Sequence, residues 1–312
     1  MQLQHATPIL DINQLPREFD LVIAASGFEK RASYIPQLLS GVERRKGIAL
    51  GFMDRAILSR RRNDKIFGKL DYELVPADGN SGESMEIVLY QFFKGFDRKR
   101  AAVLIDYTSM TRNWYASALN FFRHSAFACD QVDLYMTYAP SKYSPPQPPV
   151  PNSVMEPIAG FGRLELPNRK SALVVGLGYE QERALGLLEY VEPAKTFAYY
   201  TDPAYDKRFV KTVLRNNRYF LNKIGIENTF AHPLGDLRTT ESHLSSLCHG
   251  LRREYRVILA PLGPKPFVLL CLLMATKYPF LDVWRVSAGE RSNTYDRAHI
   301  GEVLTCAATF TR

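Results

Sequence analysis

Nearly unbroken apolar runs, each followed by a segment of helical spacing, constrain this chain more than any other feature. "DLVIAAS" (20–26), "KGIALGFM" (46–53), "YELVP" (72–76), "AAVLIDYT" (101–108) and "QVDLYMTY" (131–138) are such runs. Helical patterns separate them, among them "EKRASYIPQLLSGV", "ESMEIVLYQFFKGF" and "MTRNWYASALNFFRHSAF". Strands apolar on both faces, alternating with helices, predict a parallel sheet covered on both sides. The pattern then restarts with "SALVVGLG", "TFAYYTD", "ENTFAHPL", "RVILAPLG" and "LDVWRVS", again with helices between, including "DKRFVKTVLRNNRYFLNKIG" as one segment. A last run, "EVLTCAATF", reads as an edge strand.

The two series match in order. Gly27 and Gly178 open "GFEKRA" and "GYEQERA", 151 positions apart, and Asp54 and Asp202 end the second strands, 148 apart. Asp133 and Asp282 in the fifth strands are 149 apart. The expected fold class is therefore α/β, two tandem Rossmann-like units with mainly parallel sheets, related by internal duplication. Two generic Rossmann-like units would also look alike at this level. Between the series, "APSKYSPPQPPVPNSVMEP" holds seven prolines and continues neither a helix nor a central strand. It reads as an extended connector. The expected boundaries are 1–140 for the first unit, 141–168 for the connector and 169–312 for the second unit.

A length of 312 residues with 46% hydrophobic content suffices for two cores. No apolar run reaches the roughly 18 residues that span a membrane, and the N-terminus lacks a signal-peptide pattern. The four cysteines, Cys129, Cys248, Cys271 and Cys306, lie far apart and form no C-x-x-C pair. They read as small buried hydrophobes in a reducing, cytoplasmic setting. The six histidines show no zinc spacing, so no metal site is expected. A net charge of +8 either serves solubility or meets an anionic partner. Part of it is concentrated in "DRAILSRRRNDKIFGK", where Arg60, Arg61, Arg62 and Lys65 are candidates for nucleic-acid contact. Three adjacent arginines cannot share one helical face, so part of this run is solvated in any case.

In open parallel sheets ligands bind beyond the carboxyl ends of the strands, near the switch in strand order. The first loops place Gly27 and Gly178 at tight turns before helix starts that suit an anion. Gly176-x-Gly178 with Asp202 supplies only part of a dinucleotide fingerprint. Glu29 and Glu180 read as helix-start acids, whereas Arg31 and Arg183 align from the shared alanine and become the expected anion contacts. The third loop, "ADGNSGES", either wraps an anion or is a turn with an N-cap at Ser81. The fourth, "LIDYTSMTRNW", ends a strand at Asp106 and supplies Thr108, Ser109, Thr111 and Arg112 at a helix entry. Hydroxyls, a fixed cation and helix amides suit a phosphate or ribose; the alternative is a capped helix with a surface arginine.

This fourth loop resembles that of the CRISPR-associated Rossmann-fold (CARF) sensor domains. Those are Rossmann-like units that bind cyclic oligonucleotides and commonly carry a Thr-Gly-Gly-Thr-Lys-like segment after the fourth strand. Thr108, Thr111 and Arg112 match it, while Ser109 and Met110 replace the glycines; "PLGPKP" in the second half keeps a glycine and Lys265. The resemblance implies a nucleotide or cyclic oligonucleotide ligand held between two such units. It also implies a sensor or regulatory role in a bacterial defence-type system, with output through a protein partner or homo-oligomer. The ligand-binding candidates are then Gly27, Arg31, Thr108, Ser109, Thr111, Arg112, Gly178, Arg183 and Lys265. Two other readings stay open. One is an enzyme acting on a nucleotide or nucleic acid, with Asp106 as acid, base or Mg²⁺ ligand and Arg112 stabilising charge. It has no P-loop, H-E-x-x-H or G-x-S-x-G signature behind it. The other is a nucleic-acid-binding subunit of a larger complex. No cofactor is indicated beyond a nucleotide ligand.

Overall fold

The computed structural model describes residues 1–9, 12–163, 169–289 and 294–312. The chain divides into two compact units, Met1–Lys142 with Tyr295–Arg312, and Tyr143–Thr294.

The first unit is built on a seven-stranded sheet. Its parallel strands are β2 (Glu18–Ser26), β3 (Glu43–Phe52), β4 (Glu73–Ala77), β5 (Arg100–Asp106) and β6 (Gln131–Tyr138). They lie in the order β4-β3-β2-β5-β6. β1 (Gln2–Ile9) and β13 (Leu304–Thr311) extend the β6 edge as antiparallel strands. β2 is buried from Phe19 to Ser26, as a central strand of a two-sided sheet must be. Its helices are α1 (Tyr34–Leu38), α2 (Arg60–Lys69), α3 (Glu83–Lys94) and α4 (Arg112–His124). One core joins Val22, Ala24, Ala49 and Leu104 of the sheet to Ile35, Leu39 and Phe67.

The second unit carries a six-stranded sheet. Its parallel strands are β8 (Ser171–Gly176), β9 (Lys195–Thr201), β10 (Thr229–His232), β11 (Arg256–Pro261) and β12 (Leu281–Ser287). They run in the order β10-β9-β8-β11-β12, with β7 (Val154–Pro157) antiparallel at the edge. Around it lie α5 (Arg183–Val191), α6 (Lys207–Asn216), α7 (Arg218–Ile224), α8 (Leu237–Leu251) and α9 (Lys265–Lys277). α9 is buried without interruption from Pro266 to Thr276, which its apolar sequence requires. The two units thus share one parallel strand order, which is common to doubly wound sheets generally. Among the described residues no helix is long and apolar enough to cross a membrane. All four cysteines are unpaired and buried.

The boundaries differ from the expected ones. "EVLTCAATF" belongs to the first unit and is an interior strand, since β13 pairs with β6 on one side and β1 on the other. Apolar periodicity marks a strand but carries no information on its partner. The N-terminal strand was hidden because its sequence mixes polar and apolar residues, and Pro8 is tolerated because β1 is an edge. From Tyr143 onward the proline-rich stretch belongs to the second unit, where it leads into β7, while Ser141 and Lys142 stay with the first; its expected last positions, 164–168, lie outside the described residues. The segment expected as one helix over 206–225 is two, broken at Asn217. The helix expected over 29–42 is a 3-10 turn, Lys30–Ser33, followed by the five residues of α1.

Candidate functional site

In the first unit the order of strands reverses between β2 and β5, so the loops after these strands form the natural mouth. The loop after β2 is tied down from behind. Asn63 of α2 donates through Nδ2 to the Gly27 carbonyl at 2.8 Å and to the Glu29 carbonyl at 2.9 Å. Ser33 Oγ donates to its Oδ1 at 3.1 Å. The Gly27 amide turns back to the Ala25 carbonyl at 2.9 Å. With only a 3-10 turn following, this loop offers no long helix dipole to an anion.

Arg31 is not presented to a ligand. Only 3% exposed, its guanidinium pairs with Glu29 and donates to the Tyr138 hydroxyl at 3.1 Å and the Ala139 carbonyl at 2.7 Å. Burial pulls the guanidinium pKa down, but the Glu29 carboxylate and the Tyr138 hydroxyl outweigh it and hold the group above its ordinary value. The glutamate and the arginine, read as rivals in the sequence, form one ion pair. The Arg31 amide also donates to the Arg297 carbonyl at 3.1 Å, so the returning C-terminal segment roofs this corner.

The loop after β5 stands on a rigid base. Asp106, 1% exposed, accepts the Thr108 amide at 3.0 Å through Oδ1, closing a turn on itself. Thr108, fully buried, accepts the Ala139 amide at 2.9 Å through Oγ1. Both side chains therefore shape the loop. The side chains left at the rim are Ser109, Thr111 and Arg112, each partly exposed. Thr111 caps α4 by accepting the Trp114 amide at 3.4 Å, as its residue type predicts. Ser109 presses against Gly27, where an added Cβ would lie 2.6 Å from Ser109 Cβ; glycine at that position is what lets the two loops meet. The Ser109 hydroxyl is shielded and finds no hydrogen-bond partner among the described residues.

Neighbouring loops complete the rim. Trp114 Nε1 donates to the Asp78 carbonyl at 2.8 Å and Asn113 Nδ2 to the Asn80 carbonyl at 2.6 Å, drawing the "ADGNSG" turn against the start of α4. In that turn the helix cap is Gly82, with Ser81 Oγ accepting the Glu83 amide at 3.1 Å from one place earlier. Phe52 lies 4.6 Å from Trp114 and 5.8 Å from Phe28, ring to ring, and the Arg55 guanidinium sits 5.8 Å from the Phe28 ring. Phe52 and Trp114 are buried and Phe28 is partly exposed, so the rim carries Phe28, Thr111, Arg112 and the positive end of a thirteen-residue helix.

The corresponding corner of the second unit is built differently. An added Cβ at Gly178 would lie 2.6 Å from the Leu262 carbonyl oxygen, and one at Gly263 would lie 2.6 Å from that of Leu177. The two loops meet backbone on backbone. Arg183 opens α5 with its carbonyl accepting Asn152 Nδ2 at 3.1 Å, and Lys265 opens α9 behind Pro264. Asn217 Nδ2 donates to the Gly178 carbonyl at 2.8 Å, the same tie that Asn63 makes to Gly27. Neither asparagine announces itself in the sequence, because its partner lies 36 or 39 residues away. A second feature missed in the sequence is a ring cluster at the ends of β9 and β10. Tyr199 Oη bonds His243 Nδ1 at 2.8 Å, and His232, 5% exposed, lies 4.9 Å from the Phe267 ring. Burial lowers the His232 pKa to about 4, so it is neutral near pH 7.

Of the four cations proposed for nucleic-acid contact, Arg60 is structural. It pairs with Asp64 at 2.8 Å, donates to the Phe52 carbonyl and lies over Gly51. Arg61, Arg62 and Lys65 are exposed. No protein-family model matches this sequence, and no curated protein matches it significantly.

Proposed function

We propose that the first unit binds a nucleotide at the mouth between β2 and β5, and that the chain acts as a ligand-binding sensor or regulatory subunit. What supports this reading is the contact of Ser109 with Gly27 at the switch in strand order, with Thr111 capping α4 and Arg112 opening that helix. The phosphate sits at the α4 N-terminus with Arg112, and the base lies against the partly exposed Phe28 ring. The likeness of this loop to that of CARF sensor domains makes cyclic oligonucleotides the first ligands to try. Asp106 supports this reading as the residue that fixes the turn, since its carboxylate is buried and engaged with the Thr108 amide. Common descent of the two units is part of the same proposal. It is supported by the shared strand order and by the matching Asn63–Gly27 and Asn217–Gly178 ties.

Calorimetric titration with mononucleotides and cyclic di-, tri- and tetra-adenylates tests the reading. Saturable binding is expected, weakened about tenfold or more by Arg112→Ala, the loss of one charge-assisted contact. Absence of binding by all of these ligands, or binding indifferent to Arg112→Ala, would overturn it. Turnover of a bound nucleotide that disappears in Asp106→Asn would replace it with the enzyme reading.

A further inference from the structure

The helix after the second parallel strand is α2 in the first unit and α6 in the second. Their sequences, "RRRNDKIFGK" and "KRFVKTVLRN", carry the same cation pattern at a constant distance of 146 residues. Arg61, Lys65 and Lys69 stand at i, i+4 and i+8 on α2; Lys207, Lys211 and Arg215 stand likewise on α6. This spacing aligns each trio along one helix face. All six are exposed, and none has an acidic partner among the described residues. The only acid on α2, Asp64, faces inward to Arg60 and Ser26, and α6 has no acid. Exposed helices of ordinary proteins intersperse charges of both signs, which makes two unneutralised stripes at equivalent positions unusual.

Aromatic faces accompany each stripe. Beside α6, Tyr205 and Tyr219 are exposed, with the Arg218 guanidinium 4.6 Å from the Tyr219 ring. Beside α2, the groove over Arg62 continues past Lys30 to the stacked pair Tyr34–His299, whose rings are 3.5 Å apart. Cations in a row with aromatic rings at their side are the chemistry of single-strand binding, where phosphates meet the cations and unpaired bases stack.

We infer that α2 and α6 are two equivalent binding stripes for a single-stranded polynucleotide. Each stripe rises about 12 Å, which matches about three phosphates at the spacing of one strand. This surface is separate from the nucleotide mouth and stands or falls independently of it.

The test is fluorescence anisotropy with a labelled 20-nucleotide oligothymidylate, titrated at KCl concentrations from 50 to 200 mM. With three cations engaged at each stripe, the log–log salt slope is expected near −2, a loss of about 20-fold across that range. The triple variants Arg61→Gln/Lys65→Gln/Lys69→Gln and Lys207→Gln/Lys211→Gln/Arg215→Gln each remove one of the two sites, halving the oligonucleotide bound at saturation, and together abolish binding. The control Lys94→Gln/Lys99→Gln/Lys170→Gln removes equal charge elsewhere and changes neither. Should a triple variant fold poorly, the double variant Lys65→Gln/Lys211→Gln carries the test, reducing the slope by about 0.7. No binding at 50 mM salt overturns the inference. So does an equal effect of the control, or tighter binding of a 20-base-pair duplex or of heparin.

Discussion

Two loops meet at the strand switch of each unit, and they meet by different means. In the first unit a glycine rests on a serine side chain, and hydroxyls and an arginine stand at the rim. In the second unit Gly178 and Gly263 rest on carbonyl oxygens and Gly176 on the Phe267 ring, and the helix that follows is apolar and buried along its length. The same strand order therefore carries differently built loop contacts in the two units. A fold places a potential site; the residues at that place decide whether one exists.

The largest expected effect tests the pair that the sequence aligned, Arg31 and Arg183. Arg31→Ala leaves Glu29 without its cation and the Ala139 carbonyl without its donor, in a corner closed to water. Urea unfolding should show a loss of about 3–5 kcal/mol. Arg183→Ala, on a half-exposed side chain, should stay within about 0.5 kcal/mol. Equal effects at the two positions would break the contrast between the units.

Acid sharpens the comparison next. β10 ends at His232, whereas the equivalent strand β4 ends at Ala77. With its folded pKa depressed to about 4 from 6.5, His232 refuses a proton that the unfolded chain accepts. Its contribution is complete above pH 6.5 and declines as the pH falls from 6.5 towards 4, by about 3 kcal/mol in all. Stability measured by denaturant at pH 7, 5.5 and 4.5 should fall more steeply in the wild type than in His232→Gln. Parallel slopes would remove His232 as the cause.

Smaller still is the steric test of the mouth. Gly27→Ala drives a methyl group into Ser109 and should cost about 2 kcal/mol. Ser109→Gly in the same chain should restore at least about half of it, a coupling that a double-mutant cycle measures directly. At Gly178 the obstacle is the Leu262 carbonyl oxygen, so Gly178→Ala has no equivalent side-chain rescue. Failure of Ser109→Gly to relieve Gly27→Ala would remove this difference between the two loop contacts.

Much of the scaffold of the mouth was legible in the sequence. The run "AAVLIDYT" gave β5, and of the two readings left open for the loop after it, a capped helix entry is what Thr111 forms at α4. Gly27 and Ser109 were both singled out, and their loops do meet. Arg31, expected at a ligand, and Arg60, expected at nucleic acid, are engaged within the protein for one reason. A cation's availability depends on whether acids and carbonyls reach it, and Tyr138, Ala139 and Phe52 come from other loops and strands. The ties made by Asn63 and Asn217 were invisible for the same reason.

The sequence by itself determined the parallel α/β architecture, the strand and helix alternation, and the i, i+4 spacing of cations on α2 and α6. These follow from periodicity and i, i+4 spacing, which act over one or two helical turns. Only the tertiary structure decided that β13 completes the first sheet, that Arg31 is sealed against Glu29, and that Gly27 meets a side chain where Gly178 meets a carbonyl oxygen. Strand pairing, desolvation and backbone approach depend on groups far apart in the chain, and local pattern holds no record of them.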